Sequence, residues 1–286
     1  MGGKPSRDLA SSSTSPATGV FAGAVLINLD RRADRLSQFQ KYYKASDLGT
    51  MVPLTRLSAV DAKALPLATI DRLLTPVAQR ELASCLANGG KRDHHSQLTV
   101  GAVGCYLSHM EAWKQVAAQV ALDQPWLIFE DDVVVGASHV AEALSAFYSD
   151  AVDAFEAQYG PSDKASVALV VNLTGTCMSG CSTRLHAASH DHVIKPDLAF
   201  GLDTYALTPR MAQRLLALAS PPAIPMDMQL DSFLSVHPHV VVAMHSGRRS
   251  RLLKSGRRGP PVEAMRLAGG HTDIQSGVKR PGFFFR

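Results

Sequence analysis

Two glycine signatures are missing from this 286-residue chain. It has neither the glycine fingerprint of dinucleotide-binding folds nor a Walker loop, which argues against a dehydrogenase and a phosphate-loop NTPase. Cysteine is scarce: Cys85, Cys105, Cys177 and Cys181 are too few for a disulfide scaffold. Cys177 and Cys181 stand four apart without the second Cys or His pair that zinc-site spacing requires. No apolar run approaches the ~20 residues of a membrane span, and the N-terminus lacks the apolar stretch of a signal peptide. The cytoplasmic side is therefore the expected location. A net charge of +4 is too modest to make the whole molecule a nucleic-acid binder.

Hydrophobic residues make up 46% of the chain and charged ones 19%, the balance of a globular protein. The length suits one large α/β domain or two small ones. Residues 1–22 are rich in Ser, Gly, Ala and Thr without periodicity, and read as a disordered tail. The start, Met1-Gly2-Gly3-Lys4-Pro5-Ser6, fits a loose acylation pattern that is also common by chance. The basic excess is local: Arg248, Arg249, Arg251, Lys254, Arg257 and Arg258 fall in one stretch without an acid. That stretch is either a contact for an anionic membrane surface or nucleic acid, or a solvated part of a basic, Gly-rich segment over 248–286.

Between these ends, strand and helix patterns alternate. Ala24–Leu29 reads as a strand, and Asp30 as the cap of a helix over 31–46 with Leu36, Phe39 and Tyr43 on one face. Leu54–Val60 is a second strand ending at Asp61, followed by a helix near 67–86 and a polar loop at Lys91–Gln97. Val103–Ala121 has helix periodicity and stops at Gln124-Pro125. The segment from Trp126 is a strand, His139–Tyr159 a helix, and Val167–Leu173 a buried strand. Thr204–Leu207 is a short strand, after which Thr208-Pro209 opens a helix over 209–219. A helix over Asp227–Val236 and a strand over His239–Met244, ending at His245, complete the pattern. The fold class is α/β: one domain over 23–247, with a mostly parallel twisted sheet flanked by helices. Ligands of such sheets bind beyond the carboxyl ends of the strands. Asp30, Asp61, Glu130–Asp132 and His245 all follow strands, and so can converge on one edge.

Trp126-Leu127-Ile128-Phe129-Glu130-Asp131-Asp132 is the most informative segment. Three carboxylates closing a buried strand repel one another, and a hard divalent cation with oxygen ligands is the usual compensation. Period-two alternation puts Glu130 and Asp132 on one face, within reach of one metal. Asp131 then faces the other way, where it can accept hydrogen bonds from a ribose. The alternative is a solvated acidic turn. His245 can add an imidazole nitrogen to the metal shell or serve structure alone. Arg31, Arg32 and Arg35 follow the first strand, where guanidinium groups suit diphosphate oxygens. Gly101 and Gly104 precede Ser108 and His109, which are expected in the first turns of a helix whose amides favour an anion. Asp227 and Asp231 share a helix face, so one can be a general base for an acceptor hydroxyl, or both are solvated.

Four blocks together resemble glycosyltransferase family 25, the lipooligosaccharide and procollagen galactosyltransferase family. They are Val25–Arg35; Ser58-Ala59-Val60-Asp61; Gly104–His109 with Trp113; and Leu127–Asp132. Weaker echoes occur at Gly201–Leu207, Pro225-Met226-Asp227 and Thr272-Asp273-Ile274, so the resemblance spans about 23–275. A basic insert between His245 and Thr272 departs from the pattern. The resemblance implies a GT-A fold, a UDP-sugar donor (commonly UDP-galactose), Mn²⁺, and inversion at the anomeric carbon. It assigns nucleotide binding to Asn28, Leu29 and Arg35, the uridine to Asp61, the donor site to Ser108 and His109, and the main metal contact to Asp132. The acceptor expected is a glycan or a hydroxylated protein side chain. The rival readings are a metal-dependent nucleotide-sugar hydrolase and a non-catalytic binding protein of the same fold.

Overall fold

Every residue of strand β1 (Gly23–Asn28) is buried, as expected of a strand that has a neighbour on each edge and cover on both faces of the sheet. The structure, a computed structural model, describes residues 19–94, 97–136, 139–164, 168–173, 176–180, 183–186, 192–218, 221–230, 240–245 and 265–266. After β1 come helices α1 (Ala33–Ala45) and α2 (Leu48–Met51), then strand β2 (Leu54–Ser58). A 3₁₀ turn at Ala62–Ala64 precedes helices α3 (Leu67–Leu73), α4 (Pro76–Ala87) and α5 (Val100–Ala117). Strands β3 (Trp126–Glu130) and β4 (Val133–Val134) lead into helix α6 (Val140–Lys164). Strands β5 (Ala168–Asn172), β6 (Thr176–Ser179), β7 (Val193–Ile194), β8 (Leu198–Phe200) and β9 (Thr204–Leu207) follow. Helix α7 (Pro209–Leu218), strand β10 (Val240–His245) and strand β11 (Met265–Arg266) complete the described elements.

Seven strands pair in the order β2-β1-β3-β9-β5-β10-β7. β1 is parallel to both β2 and β3, and β10 is parallel to β5. β9 runs against β3 and β5, and β7 against β10. The sheet is therefore mixed but largely parallel, with helices on both faces, as the alternating pattern predicts. Period-two alternation sorts the strands between two cores. Leu26, Leu127 and Phe129 pack under α1 and α6 with Phe39, Tyr43, Phe147 and Phe155. Val25, Ile27, Ile128 and Tyr205 pack under α5 and α7 with Tyr106, Trp113, Met211 and Leu215.

Local chemistry moves several expected boundaries. Asp30 does not cap α1: a turn closed by Arg32 N–H on Leu29 O, 2.8 Å, delays the helix to Ala33. The Asp30 carboxylate instead accepts from Arg56 and from Ser58 Oγ, the latter at 2.9 Å. The helix expected over 67–86 is two, because Thr75 caps a new start and Pro76 occupies its first turn. α5 begins at Val100, capped by Thr99, so Ser108 and His109 lie mid-helix and not among exposed N-terminal amides. α6 is interrupted at Gly160, whose φ of 68° ends the helical run after Tyr159. Within the segment 248–286 the described residues are Met265 and Arg266. β11 pairs antiparallel with β4, Met265 opposite Val134 and Arg266 opposite Val133. Residues 1–18 of the expected tail and the basic run 248–258 lie outside the described residues.

Candidate functional site

The carboxyl ends of β1, β2 and β3 and the first half of α5 frame a cleft that opens to solvent and encloses about 80 Å³. Its walls include Leu29, Arg31, Arg35, Asp61, Lys63, Cys105, Ser108, His109 and all three acids of the β3 terminus. Close packing brings α5 to this rim. A Cβ on Gly104 would stand 2.6 Å from Val60 O, and Ser108 Oγ accepts the Val60 N–H at 2.8 Å.

The three acids have three different environments. Asp131 turns toward α1, where Arg35 Nη1 donates to one oxygen at 2.8 Å and Asn28 Nδ2 to the other at 2.8 Å. Glu130 turns the opposite way, toward α5: His109 Nε2 lies 3.2 Å from its Oε1, and the Cys105 thiol donates to the same oxygen at 3.9 Å. Asp132 is 6% exposed, and its Oδ1 is buried without a hydrogen-bond partner. Burial, then the charges of Glu130 and Asp203, push its carboxyl up to about 7. A desolvated carboxylate facing two other acids, with an orphaned oxygen, suits a hard divalent cation. Asp132, with Glu130 and Asp203 beside it, is the group that would hold one.

His109 is neutral at pH 7, because burial lowers it to about 4 against the pull of Asp227 and Asp203. A carboxylate oxygen only accepts, so the Nε2 that faces Glu130 carries the ring proton. Nδ1 then accepts the Tyr205 hydroxyl at 2.8 Å, and Tyr205 Oη accepts from Trp113 Nε1 at 2.8 Å. The buried chain Trp113–Tyr205–His109–Glu130 thus runs donor to acceptor in one direction and fixes where Glu130 points.

The expected nucleotide residues are all near the rim but differ in what they already hold. Asn28, 1% exposed, uses Nδ2 on Arg32 O and Asp131, and its Oδ1 accepts from Arg56. Arg35 is tied to Asp131, so this pair supports the cleft wall from behind. Asp61 accepts from Arg31 Nε at 2.6 Å and from Lys63 N–H at 3.2 Å, which closes the 3₁₀ turn. Asp131, expected to meet a ribose, has both oxygens occupied by protein donors.

Asp227 accepts from Gly201 N–H at 3.0 Å and Met228 N–H at 2.9 Å, so it shapes the bend that carries Asp203. It is not among the residues lining the cleft. Asp231 lies outside the described residues, as does most of the helix expected over Asp227–Val236; its described part, 227–230, is helical. His245 ends β10, and its side chain lies outside the described residues.

The sequence assigns no site role to Asp203 or Tyr205, both within the Gly201–Leu207 echo. Site residues are expected just after strands, which holds for parallel ones. β9 is antiparallel, so its N-terminal end reaches the same rim: Phe129 pairs with Thr204, and Glu130 N–H donates to Asp203 O at 2.8 Å. The cue available in the sequence was an acid immediately before the short apolar strand.

The family model described as glycosyltransferase family 25 (LPS biosynthesis protein) matches residues 22–230. The match covers most of the chain, including every described wall of the cleft, and the chain belongs to that family.

Proposed function

We propose, from membership of glycosyltransferase family 25, a metal-dependent inverting transferase with a GT-A fold. It moves a hexose, galactose by family resemblance, from a UDP-sugar to a hydroxyl on a glycan or a hydroxylated protein. Transfer of a glycosyl group follows from the family; the donor, the sugar and the metal are our reading. The observation that carries this reading is the orphaned, buried Asp132 oxygen at the carboxyl edge of the sheet, where nucleotides bind in such folds.

A divalent cation, Mn²⁺ in this reading, would neutralise charge developing on the departing diphosphate when bound at Asp132. The chain's own residues do the rest. Leu29 and Ala59–Lys63 form the wall for the nucleoside, and Arg31 and Lys63 bring positive charge to the same side. The Trp113–Tyr205–His109 chain holds Glu130 toward the sugar phosphate. A carboxylate on the acceptor side takes the hydroxyl proton as the acceptor attacks. Asp227, whose oxygens are already oriented by two amides, is the first candidate for that base, and Asp231 the second.

A melting-temperature screen tests the reading: UDP, UDP-galactose, UDP-glucose and GDP-sugars, each with and without Mn²⁺. A ligand that binds the native state raises the midpoint by mass action. The expected result is stabilisation by UDP-sugars that requires Mn²⁺, together with galactose transfer that EDTA abolishes. Stabilisation by no uridine nucleotide, or transfer unaffected by EDTA, overturns it.

A further inference from the structure

We propose that Cys105, His109 and Glu130 form a site for a thiophilic divalent cation of the Zn²⁺ class, on the wall of the donor cleft. Cys105 and His109 stand four apart on α5, so they share a face of the helix. Glu130 reaches them from the end of β3. One ligand atom from each residue, Sγ, Nε2 and a carboxylate oxygen, lies within 4.8 Å of the other two.

The spacing matches what zinc imposes. Zn–N, Zn–O and Zn–S bonds at tetrahedral angles put N and O about 3.4 Å apart and S and O about 3.6 Å apart. Here Nε2 is 3.2 Å and Sγ 3.9 Å from Glu130 Oε1, each within a few tenths of an ångström of that spacing, and Sγ and Nε2 stand within 4.8 Å of one another. Three protein ligands leave the fourth position facing the cleft, which all three residues line. The mix of sulfur, imidazole and carboxylate selects zinc over Mg²⁺ or Ca²⁺.

The surroundings add a second, independent sign. Metal-bound histidines donate the other ring N–H to a fixed acceptor. His109 Nδ1 has one at 2.8 Å, Tyr205 Oη, itself anchored by Trp113 Nε1 at 2.8 Å. Without the ion, the thiol hydrogen and the Nε2 hydrogen both point at Glu130 Oε1. With the ion, the thiol proton leaves to solvent and the imidazole proton moves from Nε2 to Nδ1. The ion replaces both hydrogens, and Tyr205 Oη accepts from Nδ1. The carboxylates of Glu130, Asp227, Asp203 and Asp132 all act on the Cys105 sulfur, and so much negative charge around it favours a dication at the same place.

One consequence rests on the function proposed above. Glu130 cannot serve this ion and the Asp132 side of the cleft together, so zinc is a reversible inhibitor of transfer. Binding itself does not depend on that reading.

The test titrates Cd²⁺ into the full chain carrying Cys177→Ser and Cys181→Ser, with no nucleotide sugar present. The thiolate-to-cadmium absorption is expected to saturate stoichiometrically, and Zn²⁺ to compete for it. Cys105→Ser should remove the band while Cys85 remains, and Tyr205→Phe should weaken Zn²⁺ binding roughly 10–100-fold. Glu130→Gln, which keeps the thiol, should retain the band and need at least tenfold more cadmium. No band, a band that survives Cys105→Ser, or an unchanged affinity in Glu130→Gln overturns the proposal. A band in a chain that transfers no sugar supports this site and sinks the donor reading. Transfer without any band does the reverse.

Discussion

Arg35 and Asp131 meet at 2.8 Å with side chains only 7% and 10% exposed, and Asn28 closes the second carboxylate oxygen at 2.8 Å. The middle acid of the triplet therefore belongs to the protein's own framework. Removing one partner of a buried pair strands the other charge and costs about 3–5 kcal/mol. Asp131→Ala should lose that much in urea unfolding, and so should Arg35→Met, which leaves the Asp131 carboxylate buried with only the neutral Asn28 amide as partner. A loss under about 1 kcal/mol for Asp131→Ala would show that the pair does not hold α1 to the end of β3.

Asp132 predicts the opposite sign. In EDTA its folded carboxyl takes a proton at about 7, well above the ordinary value, because burial and then Glu130 and Asp203 oppose its charge. The folded state thus binds more protons than the unfolded one between about pH 4 and 7. Stability falls as pH rises through that window, and the penalty is complete above it. Each unit of displacement corresponds to about 1.4 kcal/mol, so relief is worth about 2–4 kcal/mol at pH 7.5. Asp132→Asn should melt higher than the parent in EDTA at that pH, flatten the fall between pH 4 and 7, and abolish transfer. A variant no more stable than the parent in EDTA would remove the argument that this site awaits a cation.

The places where the sequence misleads have common physical roots. The β3 segment and its acids were legible because a buried strand ending in three carboxylates is rare and local. Alternation correctly opposed Glu130 to Asp131. The partners of those acids were not legible, because Arg35 lies 96 residues from Asp131 and Tyr205 lies 96 residues from His109. Strand direction was the other gap: periodicity cannot tell a parallel from an antiparallel short strand, so Asp203 arrived at the rim unannounced. Gly101 and Gly104 suit either a close approach or an unusual turn; both lie inside α5, and Gly104 makes the close approach, to Val60.

One carboxylate caps two helices. Asp47 Oδ1 accepts from Leu48 N–H at 3.1 Å and from Val140 N–H at 3.0 Å, and Oδ2 accepts from Ala141 N–H at 3.1 Å. It therefore joins α2 to the start of α6 across the face that carries Phe39 and Phe147. Loss of a cap costs about 0.5–2 kcal/mol, and two caps bring the expectation for Asp47→Ala to the upper end. Thermal unfolding of Asp47→Ala and Asp47→Asn should rank them in that order of damage. Equal melting points for both variants and the parent would mean that these amides are satisfied without it.

Gly104 tests the link between packing and the cleft. An added methyl meets Val60 O at 2.6 Å and Ala62 at 3.2 Å, both on the loop that forms the nucleoside wall. Backbone cannot yield as a side-chain tip does, so α5 and the 59–62 loop must separate. That shift breaks the Ser108–Val60 bond and moves His109 relative to Glu130. Overpacking of this kind costs about 1–3 kcal/mol. Gly104→Ala should fold, lose stability in that range, and bind uridine diphosphate more weakly than Gly89→Ala, which adds its methyl where nothing lies within 4 Å. Gly89 has a φ of +65°, so its substitution is strained in backbone alone and controls for destabilisation remote from the cleft. Equal nucleotide affinity in the two variants would show that the spacing between α5 and the 59–62 loop does not shape the donor pocket.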